Sequence, residues 1–111
     1  MSELQPVQLP QIRVNDTRLA LGELAAYWRQ QFIGRLAGVT GSNGKTTTKE
    51  LTKSILQGQY ECFATPGNFN NEIGVPLSLL MMNENTQVAI IEMGARKKGD
   101  IAELCEIAHP S

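Results

Sequence analysis

The stretch GVTGSNGKTTTKE, Gly38 to Glu50, leaves this chain few ways to fold. A short apolar run, RLAGV, leads into it, and KTTTKELTKSILQG leads out with apolar residues at helical spacing. Between them Gly38, Gly41 and Gly44 lack the Cβ atoms that would hold the backbone to negative φ and block a close approach. A strand that runs through a glycine loop straight into a helix opens a strand–helix–strand unit, and the next strand then lies parallel to the first.

The same loop has a chemistry. Its backbone N–H groups can converge on phosphate oxygens, and the positive end of the following helix dipole adds to the attraction. The residues expected to hold nucleotide phosphates are Gly41, Ser42, Asn43, Gly44, Lys45, Thr46 and Thr47. Lys45 would reach the terminal phosphates as a flexible catalytic cation, and the Thr46 hydroxyl is placed to ligate Mg2+. The generic pattern G-x-x-x-x-G-K-[ST] asks for a glycine at position 39, where Val39 stands.

The rest of the chain repeats the alternation. Residues 1–15 carry two prolines and read as an extended entry segment. Asp16 or Thr17 is a fair N-cap for a helix whose apolar positions Leu21, Leu24, Ala25, Trp28 and Phe32 are expected to form one buried stripe. RLAGVTG suits a buried parallel strand. In the helix after it, Thr48, Leu51, Ile55 and Leu56 are expected to face inward, with Gly58 where a C-cap glycine would stand. YECFATP reads as a second strand, IGVPLSLLMM as a helix with Pro76 in its first turn, and QVAIIEMGA as the clearest strand. KGDIAELCEIA closes the series as a short amphipathic helix, capped by Asp100, with Ile101, Leu104, Cys105 and Ala108 inward. The fold class is α/β, doubly wound, with a mainly parallel sheet and flanking helices around the phosphate loop.

Two more features fall at the carboxyl edge of that sheet, where open α/β folds bind ligands. Glu92 ends an otherwise apolar strand, the place from which a carboxylate joins a loop threonine on Mg2+. GNFNNE follows the second strand, and Asn68, Asn70 and Asn71 offer neutral donors and acceptors, as common in turns as in substrate sites.

With 111 residues there is room for one modest domain. Ten Lys plus Arg against eleven Asp plus Glu give a net charge of -1, so neither nucleic acid nor an anionic membrane is an expected partner. No apolar run is long enough to span a bilayer and MSELQPVQLPQ has no signal-peptide pattern, so the chain reads as cytoplasmic. Cys62 and Cys105 are expected to be free, half-buried thiols. His109, the one histidine, has no nucleophile or metal partner in view.

Taken together, GVTGSNGKTTTKE, ATPGNFNNEIGVPLSLL and AIIEMGA resemble the Mur ligase family, whose loop is T-G-[ST]-[NS]-G-K-T without the distal glycine. VNDTRLALGELAAYWRQQF is similar to the segment that joins the family's first domain to its central one. The resemblance implies that residues 1–34 are an interdomain linker and helix, and residues 35–111 the first half of an ATP-binding central domain. It implies ATP and Mg2+ as cofactors, with Gly41 to Thr47 on the phosphates, Thr46 and Glu92 on the metal, and Asn68 or Asn71 near the nucleotide or an acyl phosphate. The nearest branch joins D-Ala-D-Ala to UDP-N-acetylmuramoyl-tripeptide through that acyl phosphate in peptidoglycan precursor synthesis.

The family's sugar-binding and closing domains would lie outside this chain. A fragment is therefore expected, inactive alone and, with strand edges and a sheet face uncovered, prone to self-association. The alternatives within the family are the ligase that adds the third residue and folylpolyglutamate synthase. Outside it stand a non-catalytic nucleotide-binding module and a P-loop GTPase, the last disfavoured because no N-K-x-D motif occurs.

Overall fold

The computed structural model describes residues 10–41, 43–67 and 69–111. Ser42 and Asn68, both candidate ligand contacts, lie outside the described residues. The elements follow the expected alternation: α1 Thr17–Gln31, β1 Arg35–Val39, α2 Lys45–Leu56, β2 Cys62–Ala64, α3 Gly74–Leu80, β3 Val88–Glu92 and α4 Asp100–Ala108. The strands form one parallel sheet in the order β1-β3-β2.

The most apolar strand takes the centre because only there are both faces covered. Ala89, Ile90, Ile91 and Glu92 of β3 are all buried. Leu36 and Phe63 flank Ala89 in register, and this face joins a core cluster with Ala25 of α1, Val75 and Leu79 of α3, and Leu104 and Ala108 of α4. Ala37, Ile90 and Ala64 alternate to the other face, where α2 packs against all three strands.

Several packing expectations need correcting. The Asp16 carboxylate does cap α1, accepting N–H bonds from Arg18 at 3.0 Å and Leu19 at 3.2 Å. The buried line of α1, however, runs through Gly22 and Ala25. Leu24 is 58% exposed, and Trp28 lies at the surface with its indole N–H donating to the Met82 carbonyl at 3.0 Å. Small residues win because α1 crosses α3 and α4 closely: a Cβ on Gly22 would stand 3.3 Å from Ile107 Cδ1. On α2 the expected inward residues Thr48, Leu51 and Ile55 are exposed, Ile55 by 76%, while Lys49 is buried and Leu56 half-buried. Helix α2 ends at Leu56 with Gln57 as its C-cap, and Gly58 follows at the position of a capping glycine but without the positive φ that such a cap takes. Strand β1 buries only Leu36 fully among the described residues, with the Ser111 N–H donating to the Leu36 carbonyl on its outer edge at 2.8 Å. Asp100 begins α4, and its carboxylate caps the turn before it, accepting from the Arg96 and Lys97 N–H groups.

Cys62 and Cys105 are free and half-buried, as expected. No helix among the described residues is long and apolar enough to cross a membrane.

Candidate functional site

Parallel strands place their carboxyl ends, and the loops that follow, on one edge. Val39 pairs with Glu92, so the start of the glycine loop and the end of the central strand are neighbours. The Met93 N–H donates to the Val39 carbonyl at 2.8 Å and carries the pairing one residue further. The Thr65 N–H donates to the Ile90 carbonyl at 3.0 Å, bringing Thr65 to the same place.

Gly44 turns the loop into α2. Its φ of 79° is left-handed, a conformation that costs a side chain about 1–2 kcal/mol. The Thr48 N–H donates to its carbonyl at 2.8 Å, the first bond of the helix. Lys45 therefore sits on the first turn, with Nζ donating to the Gly41 carbonyl at 3.4 Å across the loop.

Glu92 is the centre of the arrangement and is 0% exposed. Its Oε1 accepts from the Thr46 hydroxyl at 2.9 Å, and its Oε2 from the Asn70 side-chain amide at 2.7 Å. Lys49 Nζ lies 3.8 Å from Oε1. The Glu92 N–H donates to Thr65 Oγ1 at 2.8 Å, which fixes the residue from behind. Asn70 is held in turn by the Gly94 N–H, which donates to its backbone carbonyl at 2.7 Å. A Cβ on Gly94 would stand 3.1 Å from Asn70 Cγ, so glycine leaves the space that the asparagine fills.

Of the residues singled out in the sequence, Thr46 and Glu92 are thus brought into contact, with Lys45 beside Thr46 on the first turn of α2 and Gly41 on the loop before it. Asn43 and Thr47 are exposed at the mouth. Asn71 directly follows Asn70, and its Oδ1 accepts from the Ile73 N–H at 3.1 Å and the Gly74 N–H at 2.7 Å, a local turn that starts α3. Asn70, not Asn71, reaches the carboxylate.

Lys49 is the residue that sequence reasoning missed. A lysine on a helix is ordinarily placed in water. The available signal was its phase: Lys49 follows Lys45 by four residues and Thr46 by three, hence shares the face that the loop already aims at the site.

Thr46 and Glu92 supply hard oxygen donors suited to Mg2+. Among the described residues no group of three or more His, Cys, Asp or Glu could hold a metal ion. A cation here would complete its shell with water and phosphate oxygens, which is the usual habit of Mg2+ beside a nucleotide. An open groove lies next to the site, lined by residues of both charges that include Arg18, Glu72, Arg96 and Glu103. A smaller cavity between Trp28, Phe32 and Met82 lies at the opposite edge of the sheet.

The family model for the Mur ligase middle domain matches residues 39–111. The chain belongs to the Mur ligase family. Among curated relatives of this Mur ligase chain, the UDP-N-acetylmuramoyl-tripeptide--D-alanyl-D-alanine ligase of Bacillus subtilis is 50% identical over 99 residues, covering 89% of this chain and 22% of that protein. The enzyme of the same name from Escherichia coli is 47% identical over 104 residues, covering 94% of this chain and 23% of that protein. The chain thus spans less than a quarter of the length of these relatives. Among solved structures, MurF from Acinetobacter baumannii superposes with a TM-score of 0.89 at 42% identity, covering 97% of this chain and 24% of that one. The MurF ligase from Thermotoga maritima in complex with ADP gives a TM-score of 0.81 at 41% identity, covering 96% of this chain and 25% of that one.

Proposed function

We propose that these residues form the phosphate- and metal-binding half of the central domain of an ATP-dependent ligase that joins D-Ala-D-Ala to UDP-N-acetylmuramoyl-tripeptide in peptidoglycan precursor synthesis. The observation that carries this is the 2.9 Å contact of Thr46 with Glu92 beside Lys45, in a chain whose relatives bear that name. In this proposal residues 1–34 link a preceding domain to the central one, which begins near residue 35. The reaction would run in the cytoplasm.

The loop from Gly41 to Thr47 would hold the ATP phosphates by its N–H groups, and Lys45 would swing from the Gly41 carbonyl to the terminal phosphates. Thr46 and Glu92 would hold Mg2+, which when bound neutralises charge developing on the transferred phosphoryl group. Asn70 keeps the Glu92 carboxylate aimed at the loop mouth, and Asn68 or Asn71 would lie on the substrate side. A substrate carboxylate would take the γ-phosphoryl group, giving an acyl phosphate and ADP, and the amine of D-Ala-D-Ala would displace phosphate to form the amide. Rate acceleration in the first step is positioning plus charge neutralisation.

The 111-residue chain alone is expected to be inactive, because Thr46 and Thr47 are exposed and an acyl phosphate formed there would meet water. Leu51 and Ile55 of α2, both exposed, are expected to drive self-association, which sedimentation velocity of wild type and Leu51→Glu/Ile55→Glu would register.

The test uses the full-length protein with ATP, Mg2+, UDP-N-acetylmuramoyl-tripeptide and D-Ala-D-Ala. Release of ADP and phosphate only when both substrates are present is expected. No release with that pair, or release with an amino acid in place of the dipeptide, would overturn the assignment.

A further inference from the structure

Lys49 has no part in the chemistry above, yet it is the largest fully buried side chain among the described residues, at 1% exposure. Its ammonium donates to the Thr65 carbonyl at 2.7 Å and to the Gly67 carbonyl at 2.9 Å. Those carbonyls are neutral, so they satisfy two of its three hydrogens but not its charge. The charge faces two carboxylates. Glu50 Oε1 is 3.3 Å away on a side chain 60% exposed, where water and salt screen it. Glu92 Oε1 is 3.8 Å away on a side chain 1% exposed, where screening is weak.

We propose that Lys49 is a built-in counter-cation for Glu92, which makes divalent-cation binding at Thr46 and Glu92 depend on bound phosphate. This rests on Glu92 being a metal carboxylate. With one buried positive and one buried negative charge, the site is neutral before ligand arrives. A lone divalent cation approaching Glu92 then meets an ammonium it cannot displace, since the Thr65 and Gly67 carbonyls anchor it. The phosphates of a nucleotide add the negative charge that the pair lacks, so the cation enters with them. Lys49 is thus a positioning residue for order of binding, acting through Glu92 rather than on the substrate.

The test is Mn2+ binding to the full-length protein, read as loss of the free-ion electron paramagnetic resonance signal, with and without saturating ADP. Wild type is expected to bind Mn2+ weakly alone and tightly with ADP. Lys49→Met should bind Mn2+ without nucleotide at least about tenfold more tightly than wild type, as the loss of a nearby repelling charge requires. Lys49→Arg, which keeps the charge, should stay weak. An unchanged affinity in Lys49→Met overturns the proposal, as does a Lys49→Arg variant that tightens equally. Should Lys49→Met fail to fold, Lys49→Gln, which removes the charge but keeps a donor for the two carbonyls, takes its place in the same comparison, and submillimolar Mn2+ binding by wild type without nucleotide also overturns the proposal. Glu92→Gln separates the two levels. If that variant loses no Mn2+ affinity beside ADP, Glu92 is not a metal carboxylate and both ideas fall; if it loses affinity while Lys49→Met is unchanged, only the role of Lys49 falls.

Discussion

Replacing Glu92 with glutamine should destabilise the protein by about 3 kcal/mol, even though the change is nearly isosteric. Breaking a buried ion pair by removing one partner costs about 3–5 kcal/mol, because the remaining charge is stranded. Here the stranded charge is Lys49 at 1% exposure, with two carbonyl bonds at 2.7 and 2.9 Å left to it. Glu50 at 3.3 Å offers a screened replacement, which moves the figure to the lower end of that range. A second loss acts in the same direction. Thr46 and Asn70 both donate to the Glu92 carboxylate, and a neutral glutamine replaces these charge-assisted bonds by weaker neutral ones, with the Thr46 hydroxyl rotated to accept from the amide. Urea unfolding of wild type and Glu92→Gln, analysed for midpoint at constant slope, measures the difference. The double variant Lys49→Met/Glu92→Leu removes both charges and should recover most of the loss, giving a coupling energy of about 2 kcal/mol or more. A Glu92→Gln variant within about 0.5 kcal/mol of wild type, the range of ordinary surface changes, would refute the claim that the pair is a buried ionic one.

Three further outcomes are expected. Gly44→Ala should lose about 1–2 kcal/mol of stability and weaken phosphate binding, since the left-handed backbone at φ 79° opposes a Cβ even though nothing lies within 4 Å of one; isothermal titration with ADP checks the second part. Arg29→Met should cost about 2 kcal/mol in urea unfolding and speed hydrogen exchange in the last turn of α4, because Nε and Nη2 of Arg29 donate to the Ala108 and His109 carbonyls at 2.6 Å each. Arg29→Lys should recover only part of this, as an ammonium lacks the planar, pre-organised fork with which the guanidinium meets both oxygens. The Arg96 and Lys97 N–H groups hold the Asp100 carboxyl below its usual range, so its contribution to stability is complete above the unfolded value of about 4 and fades as pH falls through the lower folded value. An NMR titration of Asp100 should therefore give a midpoint below that of a free aspartate, and an ordinary midpoint would show that the turn exerts no hold.

Much of the fold was legible because its signals are local. Glycine spacing, apolar runs and the Asp16 cap act within a few residues, so the alternation of elements and the parallel sheet could be read directly. Which side of each helix is buried was less legible. Periodicity finds an apolar stripe, but α1 buries Gly22 and Ala25 because close crossing favours small residues, and α2 turns Leu51 and Ile55 to the surface because its first turn is fixed by the loop. Lys49 shows the same limit from the other side. No single-residue scale places a lysine in a core, and only the carbonyls of Thr65 and Gly67 and the charge of Glu92 make that position tolerable.

Short-range pattern alone brings strand, glycine loop and helix together around Lys45 and Thr46, since backbone freedom at Gly44 and the order of the elements need no partner. It also placed Glu92 at a strand end. What surrounds that carboxylate was settled by the assembled fold, because the pairing of Val39 with Glu92 and the bonds of Thr65 to Ile90 and of Gly94 to Asn70 join residues far apart in the chain. Thr46, Lys49, Asn70 and Glu92 form one site by register and burial, and those are properties of the assembled sheet rather than of any segment within it.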